Sequence, residues 1–217
     1  MGQKAHPFGL RLGNFYTWKS RWFATGKEYI KLAHEDLHLR RVLQEKLKLA
    51  GLIELNIERS INTITIILYV SRPGVVIGRG GSGVEELKRI IRRELKINPQ
   101  DPKSMKAELK IEEVKTPDLS ARLVAQRIAD QLIKRYPHRR AVGQALDKIM
   151  EAGGKGAKIV LSGRIAGAEI SRREKYPRGS VPTQTLRANI DYAEMPALTR
   201  SGYIGIKVWI CREEKSN

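Results

Sequence analysis

Cysteine is almost absent from this chain, whose 217 residues include only Cys211. A single thiol cannot form an intramolecular disulfide, as is usual for proteins of a reducing compartment. Long apolar runs are also lacking, because the longest, from Ile64 to Val70, is interrupted by Thr65 and is far too short to cross a bilayer. The first residues carry no apolar signal segment and, at position six, no Ser or Thr for myristoylation. These absences predict a soluble cytoplasmic protein.

No motif for catalysis is complete in this sequence. A nucleophile elbow, a Walker lysine loop and a Cys-x-x-Cys pair are all missing. Residues 34–38 do spell the zincin pattern His-Glu-x-x-His, which places two possible metal ligands on one helix face. A third ligand has no evident candidate on a following helix, and the other histidines, His6 and His138, lie among basic residues. We therefore expect a solvated helix face there, and neither a metal, a cofactor, a small-molecule substrate nor enzymatic activity.

Acidic residues are scarce relative to basic ones. The chain has 41 Lys and Arg against 23 Asp and Glu, which gives a net charge of +18 and a pI near 10.2. Such a basic balance is typical of nucleic-acid-binding domains. Three clusters contain much of the charge: Lys4, Arg11, Lys19, Arg21 and Lys27; Lys134, Arg135, His138, Arg139 and Arg140; and Arg164, Arg172, Arg173, Lys175 and Arg178. This spread favours a large folded RNA over a membrane surface, for which the charge would concentrate on one helix face.

A glycine-rich loop is the most specific motif. An apolar segment leads into Gly78, Arg79, Gly80 and Gly81, and apolar residues at helical spacing follow from Val84. Glycines allow close approach of a phosphate, and the start of a helix favours negative charge. This is the arrangement of the Gly-x-x-Gly loop with which KH domains clamp single-stranded nucleic acid.

The predicted element order supports that interpretation. Residues 27–115 are predicted as helix, strand, strand, short helix, glycine loop, helix and strand, which is the αββααβ order of a type II KH domain. The same letters from Gly78 to Gly83 also fit the dinucleotide fingerprint. A Rossmann unit, however, needs a strand directly before the glycines and an acidic residue at a strand end about twenty residues later, and neither is present.

Two further segments flank the KH domain. Residues 1–26 contain aromatic residues and glycines without sustained periodicity, so we expect an arm that contacts rRNA or protein. Its aromatic residues either stack on bases or anchor the arm on its own domain: Tyr16, Trp18, Trp22 and Phe23. Residues 116–217 are predicted as an α+β domain with two helices and an antiparallel sheet of strands 157–162, 186–192 and 203–212. The predicted fold class is therefore α+β throughout.

Several segments, in this order, resemble one ribosomal family. They are Gly2-Gln3-Lys4-Ala5-His6-Pro7, Trp18-Lys19-Ser20-Arg21-Trp22-Phe23, Arg72-Pro73-Gly74-Val75-Val76-Ile77-Gly78, Ser162-Gly163-Arg164-Ile165-Ala166-Gly167-Ala168-Glu169-Ile170 and Thr185-Leu186-Arg187-Ala188. The chain is similar along nearly its whole length to the bacterial-type small-subunit ribosomal protein three family, the KH protein of the 30S head.

The resemblance implies a structural role in the small subunit. Members of that family bind 16S rRNA beside small-subunit proteins ten and fourteen and help to form the channel through which mRNA enters. By resemblance, mRNA would meet Lys134, Arg135, His138, Arg139 and Arg140, although Gly143 and Gln144 stand where relatives carry further basic residues. The rRNA contacts would be Lys4, His6, Arg11, Lys19, Arg21, Arg164, Arg172, Arg173, Arg178 and Arg187. The alternative is a free-standing regulatory KH protein that binds RNA.

Overall fold

The computed structural model describes residues 4–13, 16–95 and 106–212 of the chain. The helices are α1 (Pro7–Leu10), α2 (Gly26–Lys46), α3 (Pro73–Ile77), α4 (Ser82–Glu94), α5 (Ala121–Ile133) and α6 (His138–Glu151). The strands are β1 (Ser20–Arg21), β2 (Leu52–Arg59), β3 (Thr63–Val70), β4 (Lys106–Glu113), β5 (Gly156–Gly163), β6 (Arg172–Gly179), β7 (Ile190–Thr199) and β8 (Gly202–Cys211). They form two compact units, Trp18–Lys115 and Thr116–Asn217 together with Met1–Thr17.

The first unit has the predicted KH order. Helix α2 is followed by β2, β3, α3, α4 and β4, which confirms the αββααβ arrangement. Strands β2 and β3 are antiparallel, whereas β4 is parallel to β3 and the short β1 is parallel to β2. Alternate residues of β3 are buried, and they pack with Leu39 and Leu43 of α2 and Leu87 and Ile91 of α4. One apolar sheet face and two amphipathic helices thus form this core.

The second unit is an antiparallel four-stranded sheet with α5 and α6 on one face. The strand order is β6-β5-β8-β7. Its core contains Ile128 of α5 and Ile149 of α6, packed with Ile159 of β5 and Val208 of β8. The predicted α+β class with an antiparallel sheet is confirmed. None of the helices in the described residues is long and apolar enough to span a membrane.

The strands of this sheet differ from the prediction in two ways. The predicted strand 186–192 is wrong in position, since β7 occupies Ile190–Thr199, and β6 was not predicted at all. Both strands lie at sheet edges and contain a proline, Pro196 in β7 and Pro177 in β6, which an edge can tolerate. Strand β6 has no buried residue, so it lacks the apolar alternation by which strands are recognised from sequence.

The start of the chain is divided between the two units. Helix α1 and Tyr16 belong with the C-terminal unit, where the Tyr16 hydroxyl donates to the carbonyl oxygen of Ile190 at 3.0 Å. Strand β1 instead extends the KH sheet beside β2. The sequence predicted a single arm over residues 1–26, because a four-residue helix and a two-residue strand are too short to produce a periodic pattern.

Candidate nucleic-acid interface

The glycine loop lies between α3 and α4. Gly78, Gly80 and Gly81 have φ angles of +70°, +60° and +83°, values that other residues rarely adopt. A Cβ added at Gly80 or Gly81 would meet no atom within 4 Å, so the loop's outer side is open, and the Arg79 side chain is exposed there. The loop therefore combines an open backbone, one cation and the N-terminus of a 13-residue helix.

Gly83, just after the predicted loop residues, has a structural role that the motif alone did not assign to it. A Cβ at Gly83 would lie 2.4 Å from the carbonyl oxygen of Val76, so only glycine allows α3 and α4 to approach this closely. Beside the loop, Val75 and Ile77 are exposed apolar side chains. If the backbone amides of the glycine loop bind the phosphates of a nucleic-acid strand, these two apolar side chains can contact the bases of the same strand.

The residues predicted to meet mRNA surround the turn from α5 to α6, and we call them the turn patch: Lys134, Arg135, His138, Arg139 and Arg140. Lys134 follows the last residue of α5, and Arg135 has a positive φ of +59° that reverses the chain. Pro137 then precedes α6, whose first three residues are His138, Arg139 and Arg140. The structure brings all five together, and only His138 is partly buried.

Two members of the turn patch lie close to β6. Nε2 of His138 is 3.1 Å from Oε2 of Glu174, although without hydrogen-bond geometry. The Tyr176 hydroxyl donates to Glu174 and lowers the pKa of that carboxyl, and the positive charges of Arg172 and Arg139 lower it further. Lys134, Arg135 and Arg140 have no ion pair among the described residues, so their charges are available to a partner.

Arg11 is not placed as an RNA contact would be. Its side chain is fully buried, and its guanidinium donates to the carbonyl oxygens of Ala188, Pro7, Thr183 and Thr185 at 2.7–3.1 Å. The basic sequence context suggested rRNA, but here the cation satisfies carbonyl groups of this chain. The structure therefore corrects the expectation for Arg11, which holds residues 182–188 against α1.

The predicted arginines of β6 separate onto two sides of the sheet. Successive strand residues point to opposite faces. Arg178 forms an ion pair with Asp147 of α6, and Arg172 pairs with Glu174 at 2.7 Å, so these two lie on the helix side. Arg173 faces the other side, where the described residues offer it no carboxylate partner. The prediction treated these arginines as one cluster because it did not recognise β6 as a strand.

The remaining predicted rRNA residues are distributed over both units. Arg21 pairs with Glu58 at 2.9 Å and Lys19 with Glu54 at 3.8 Å, while Nε of Arg164 donates to the carbonyl oxygen of Ala168. Other exposed members of the predicted set are Lys4, His6 and Arg187. Exposed ion pairs contribute little to stability and exchange readily, so Arg21 and Lys19 can still turn to a phosphate.

The comparisons with known proteins agree with this architecture. Residues 38–119 match the KH domain family, and residues 128–210 match the C-terminal domain of ribosomal protein S3. The small ribosomal subunit protein uS3 of Caldanaerobacter subterraneus subsp. tengcongensis is 48% identical over 99% of this chain and 93% of its own length. The uS3 proteins of Persephonella marina and Hydrogenovibrio crunogenus are 44% and 45% identical over 99% of this chain and 92% and 91% of their lengths.

This chain belongs to the uS3 family. The family is a structural one of the small ribosomal subunit, and the chain is not an enzyme. Within the described residues, no group of three His, Cys, Asp or Glu side chains could hold a metal ion.

In this uS3 chain the His-Glu-x-x-His segment of α2 stabilises the fold through side-chain hydrogen bonds and ion pairs. Asp36 is buried and accepts hydrogen bonds from Nε1 of Trp22 at 2.7 Å and Nε of Arg59 at 3.0 Å. The neighbouring Glu35 also pairs with Arg59, and His38 lies 2.8 Å from Glu94. The expected solvated face is therefore only partly correct: His34 is exposed, but Asp36 joins α2 to β2 and to the segment before α2.

Of the two roles that the sequence left open for the aromatic residues near the start of the chain, the structure shows the anchoring role for two of them. Tyr16 stacks on Phe8 with ring centroids 4.9 Å apart, and Trp22 lies 5.3 Å from Tyr29. Trp18 and Phe23, in contrast, are 69% and 89% exposed. Tyr16 and Trp22 therefore anchor the segment on this chain. Trp18 and Phe23 are available to a partner.

Proposed function

We propose that this chain is a structural constituent of the small-subunit head that binds 16S rRNA and helps to form the channel through which mRNA enters. Membership of the uS3 family supports the ribosomal role. The net charge of +18 supports binding to rRNA, because each phosphate neutralised by Lys or Arg releases counterions. The spread of the basic residues along the chain supports contact on several sides. In this proposal the protein works in the cytoplasm, beside small-subunit proteins ten and fourteen.

The turn patch carries the mRNA part of the proposal. Arg139 and Arg140 are exposed in the first turn of α6, a 14-residue helix whose N-terminal amides add positive potential. Arginine can hold a phosphate with two parallel hydrogen bonds and can stack on a base, which lysine cannot do. An mRNA strand that passes this turn would meet up to five basic side chains. Gly143 and Gln144, one turn further along α6, add no charge.

The rRNA part rests on residues in both units. In the KH unit the glycine loop Gly78, Arg79, Gly80 and Gly81 would cradle phosphates. Lys19, just before β1, and Arg21, in β1, would add further rRNA contacts. In the other unit we assign rRNA contacts to Lys4, His6, Arg164, Arg173 and Arg187, and more weakly to the ion-paired Arg172 and Arg178. Arg11 is left out because it is buried.

Sedimentation of a cell lysate tests the ribosomal role. A tagged copy of the chain should move with the small subunit in low-magnesium gradients, where the two ribosomal subunits separate. A free-standing regulatory KH protein would remain mostly in the light fractions instead. Recovery of the protein chiefly in those light fractions would contradict the proposed function.

A further inference from the structure

The side of the C-terminal sheet that faces away from α5 and α6 is unusually basic. The strand registers place Lys158 opposite Trp209, and Trp209 opposite Tyr192. By alternation, the same face carries Arg173 and Lys175 of β6 and Lys207 of β8. We call these six residues the open face. A solvated sheet face normally mixes charges of both signs in similar number, whereas this one carries four cations from β5, β6 and β8 beside the carboxylate of Glu194 in β7.

The start of the chain turns part of the open face into a cavity. The imidazole of His6 contacts the Tyr192 ring edge-on, with centroids 4.8 Å apart. A cavity of about 320 Å³, open to solvent, thereby forms between Lys4 and His6 on one side and Lys158, Arg173, Lys207 and Trp209 on the other. Its volume is sufficient for a nucleotide-sized group.

The positive charge in this cavity is only partly neutralised by the protein. Glu194 is the acidic side chain that lines it, and Glu194 already accepts from the Tyr192 hydroxyl at 3.1 Å and lies 3.6 Å from Nζ of Lys207. Lys4, Lys158 and Arg173 have no carboxylate partner among the residues that the structure describes.

Lys158 lies at the centre of this charge. Its Nζ is 4.4 Å from the centroid of the Trp209 ring, in a cation–π contact. Partial burial lowers the pKa of Lys158, and the positive charges of Lys4, Lys175 and Arg173 lower it further. An anion among these groups would remove that repulsion, so the site favours a negatively charged ligand.

We infer that the open face, with Lys4 and His6, binds the sugar-phosphate backbone of an RNA strand, with one phosphate held between Lys158 and Arg173. This inference rests on the proposed rRNA binding and deepens it, because it joins the predicted contacts Lys4, His6 and Arg173 with Lys158 in one site. Lysines and an arginine spaced along adjacent strands suit a run of phosphates, and Trp209, Tyr192 and His6 offer ring surfaces for a sugar or base. An acidic protein segment would satisfy the charges but would not need the aromatic side chains.

Lysine footprinting tests the location of the site. The full chain, free and bound to a transcript of the 16S rRNA head domain, is acetylated with an N-hydroxysuccinimide ester and analysed by mass spectrometry. Lys158 and Lys175 should react at least about fivefold more slowly in the complex. Lys148, on the exposed side of α6, is the internal control and should change little. Equal reactivity of Lys158 in the two states, with the transcript bound, would overturn the inference while leaving the proposed function intact.

Removal of two positive charges tests how much the site contributes to the salt dependence of RNA affinity. The variant Lys158→Gln with Arg173→Gln should make the slope of log affinity against log salt shallower by roughly 0.7–0.9, the contribution of the one phosphate that the pair holds. The matched control, Lys148→Gln with Lys155→Gln, removes the same charge at exposed positions outside the open face and should keep the slope. Equal slopes in both variants would overturn the site.

A polyglutamate peptide used as competitor addresses the other kind of partner. The peptide should displace the transcript no better than decauridylate, a short single-stranded RNA used as the second competitor. Stronger displacement would assign the open face to an acidic protein and overturn the RNA inference. If the unaltered chain does not bind the transcript at all, both this inference and the proposed function fail.

Discussion

At the scale of single residues, burial separates cations that stabilise the fold from cations that are free to meet RNA. Arg11 is completely buried among backbone carbonyls, and Arg59 is enclosed by Asp36 and Glu35. Arg140 and Arg173 are exposed without a carboxylate partner in the described chain. In the sequence these four arginines look alike, because charge and spacing do not reveal which side chain the fold encloses.

Replacement of Arg11 should destabilise the C-terminal unit. Arg11→Ala leaves the carbonyls of Pro7, Thr183, Thr185 and Ala188 without their donor, at an expected cost of roughly 3 kcal/mol. Arg11→Lys should restore only part of that loss, because one ammonium cannot reach carbonyls in several directions. Hydrogen exchange of β7 and β8 amides measures the change, with β2 and β3 as internal reference. The exposed control Arg187→Ala should stay within about 0.5 kcal/mol, and an Arg11→Ala variant equal to it would contradict the assignment.

At the scale of elements, the glycine loop and the α5–α6 turn each expose backbone amides and basic side chains at the N-terminus of a helix. Both depend on residues with positive φ: Gly78, Gly80 and Gly81 in the loop, and Arg135 in the turn. In both cases the chain reverses before a helix of 13 or 14 residues, whose first amides face outward. Both elements therefore have the backbone geometry that favours an anion at the start of a helix.

Acidic substitution in the loop should weaken single-strand binding by the KH unit. Arg79→Asp with Gly80→Asp places two carboxylates where phosphates would lie, and we expect affinity for a single-stranded RNA to fall at least about tenfold, or about 1.4 kcal/mol. The fold should persist, since a side chain at Gly80 meets no atom within 4 Å and aspartate tolerates a positive φ. Binding is measured by fluorescence anisotropy, and circular dichroism verifies the fold.

Gly83→Ala provides the structural contrast for that experiment. Its Cβ would collide with the carbonyl oxygen of Val76, so this variant should lose thermal stability rather than affinity alone. An unchanged RNA affinity in the folded Arg79→Asp, Gly80→Asp variant would show that the loop is not a binding surface.

Removal of the two arginines at the start of α6 should affect structured messages selectively. We expect Arg139→Ala with Arg140→Ala to slow ribosomes on mRNA hairpins by about fivefold, if the pair contributes about 1 kcal/mol to the opening barrier. Assembly of the small subunit and passage along unstructured mRNA should change little. Ribosome progression on matched messages, with and without a hairpin, gives the comparison. Equal slowing on both messages would assign these arginines to rRNA packing.

A gain of charge at Gly143 should have the opposite effect. A Cβ there meets no atom within 4 Å, so Gly143→Lys fits the existing helix and should modestly speed passage through hairpins. Gly143→Ala is the matched control, because it raises helix propensity by about 1 kcal/mol without adding charge. Equal passage rates for the lysine and alanine variants would attribute any effect to the helix alone.

At the scale of the whole molecule, the net charge of +18 and its distribution over both units predict steep salt dependence. If at least about five phosphates are neutralised, the slope of log affinity against log salt should be steeper than about −3.5. Affinity for an rRNA head transcript should then fall about 50-fold between 0.1 M and 0.3 M salt. Filter binding across a salt titration measures this slope. A nearly flat dependence would contradict rRNA binding.

The fold class, the KH element order and the family were predictable from the order of the amino acids alone. Apolar periodicity located α2, β2, β3, α4, α5 and α6, and glycines marked the loop, because these signals are local along the chain. The turn patch was also predictable, since its five residues follow one another closely around Pro137.

Which basic residues share a surface, in contrast, depends on how the chain folds in three dimensions. Arg11 is enclosed by carbonyls more than 170 residues away, and Lys158, Arg173 and Lys4 meet through pairing of β5 with β6 and the return of the chain's start to the sheet. Strand β6 is an exposed edge strand without apolar alternation. The local sequence therefore predicts neither the strand nor the sheet face to which each of its charged side chains points. Contacts between distant segments depend on the packed fold as a whole, and for this reason the open face became visible only with the structure.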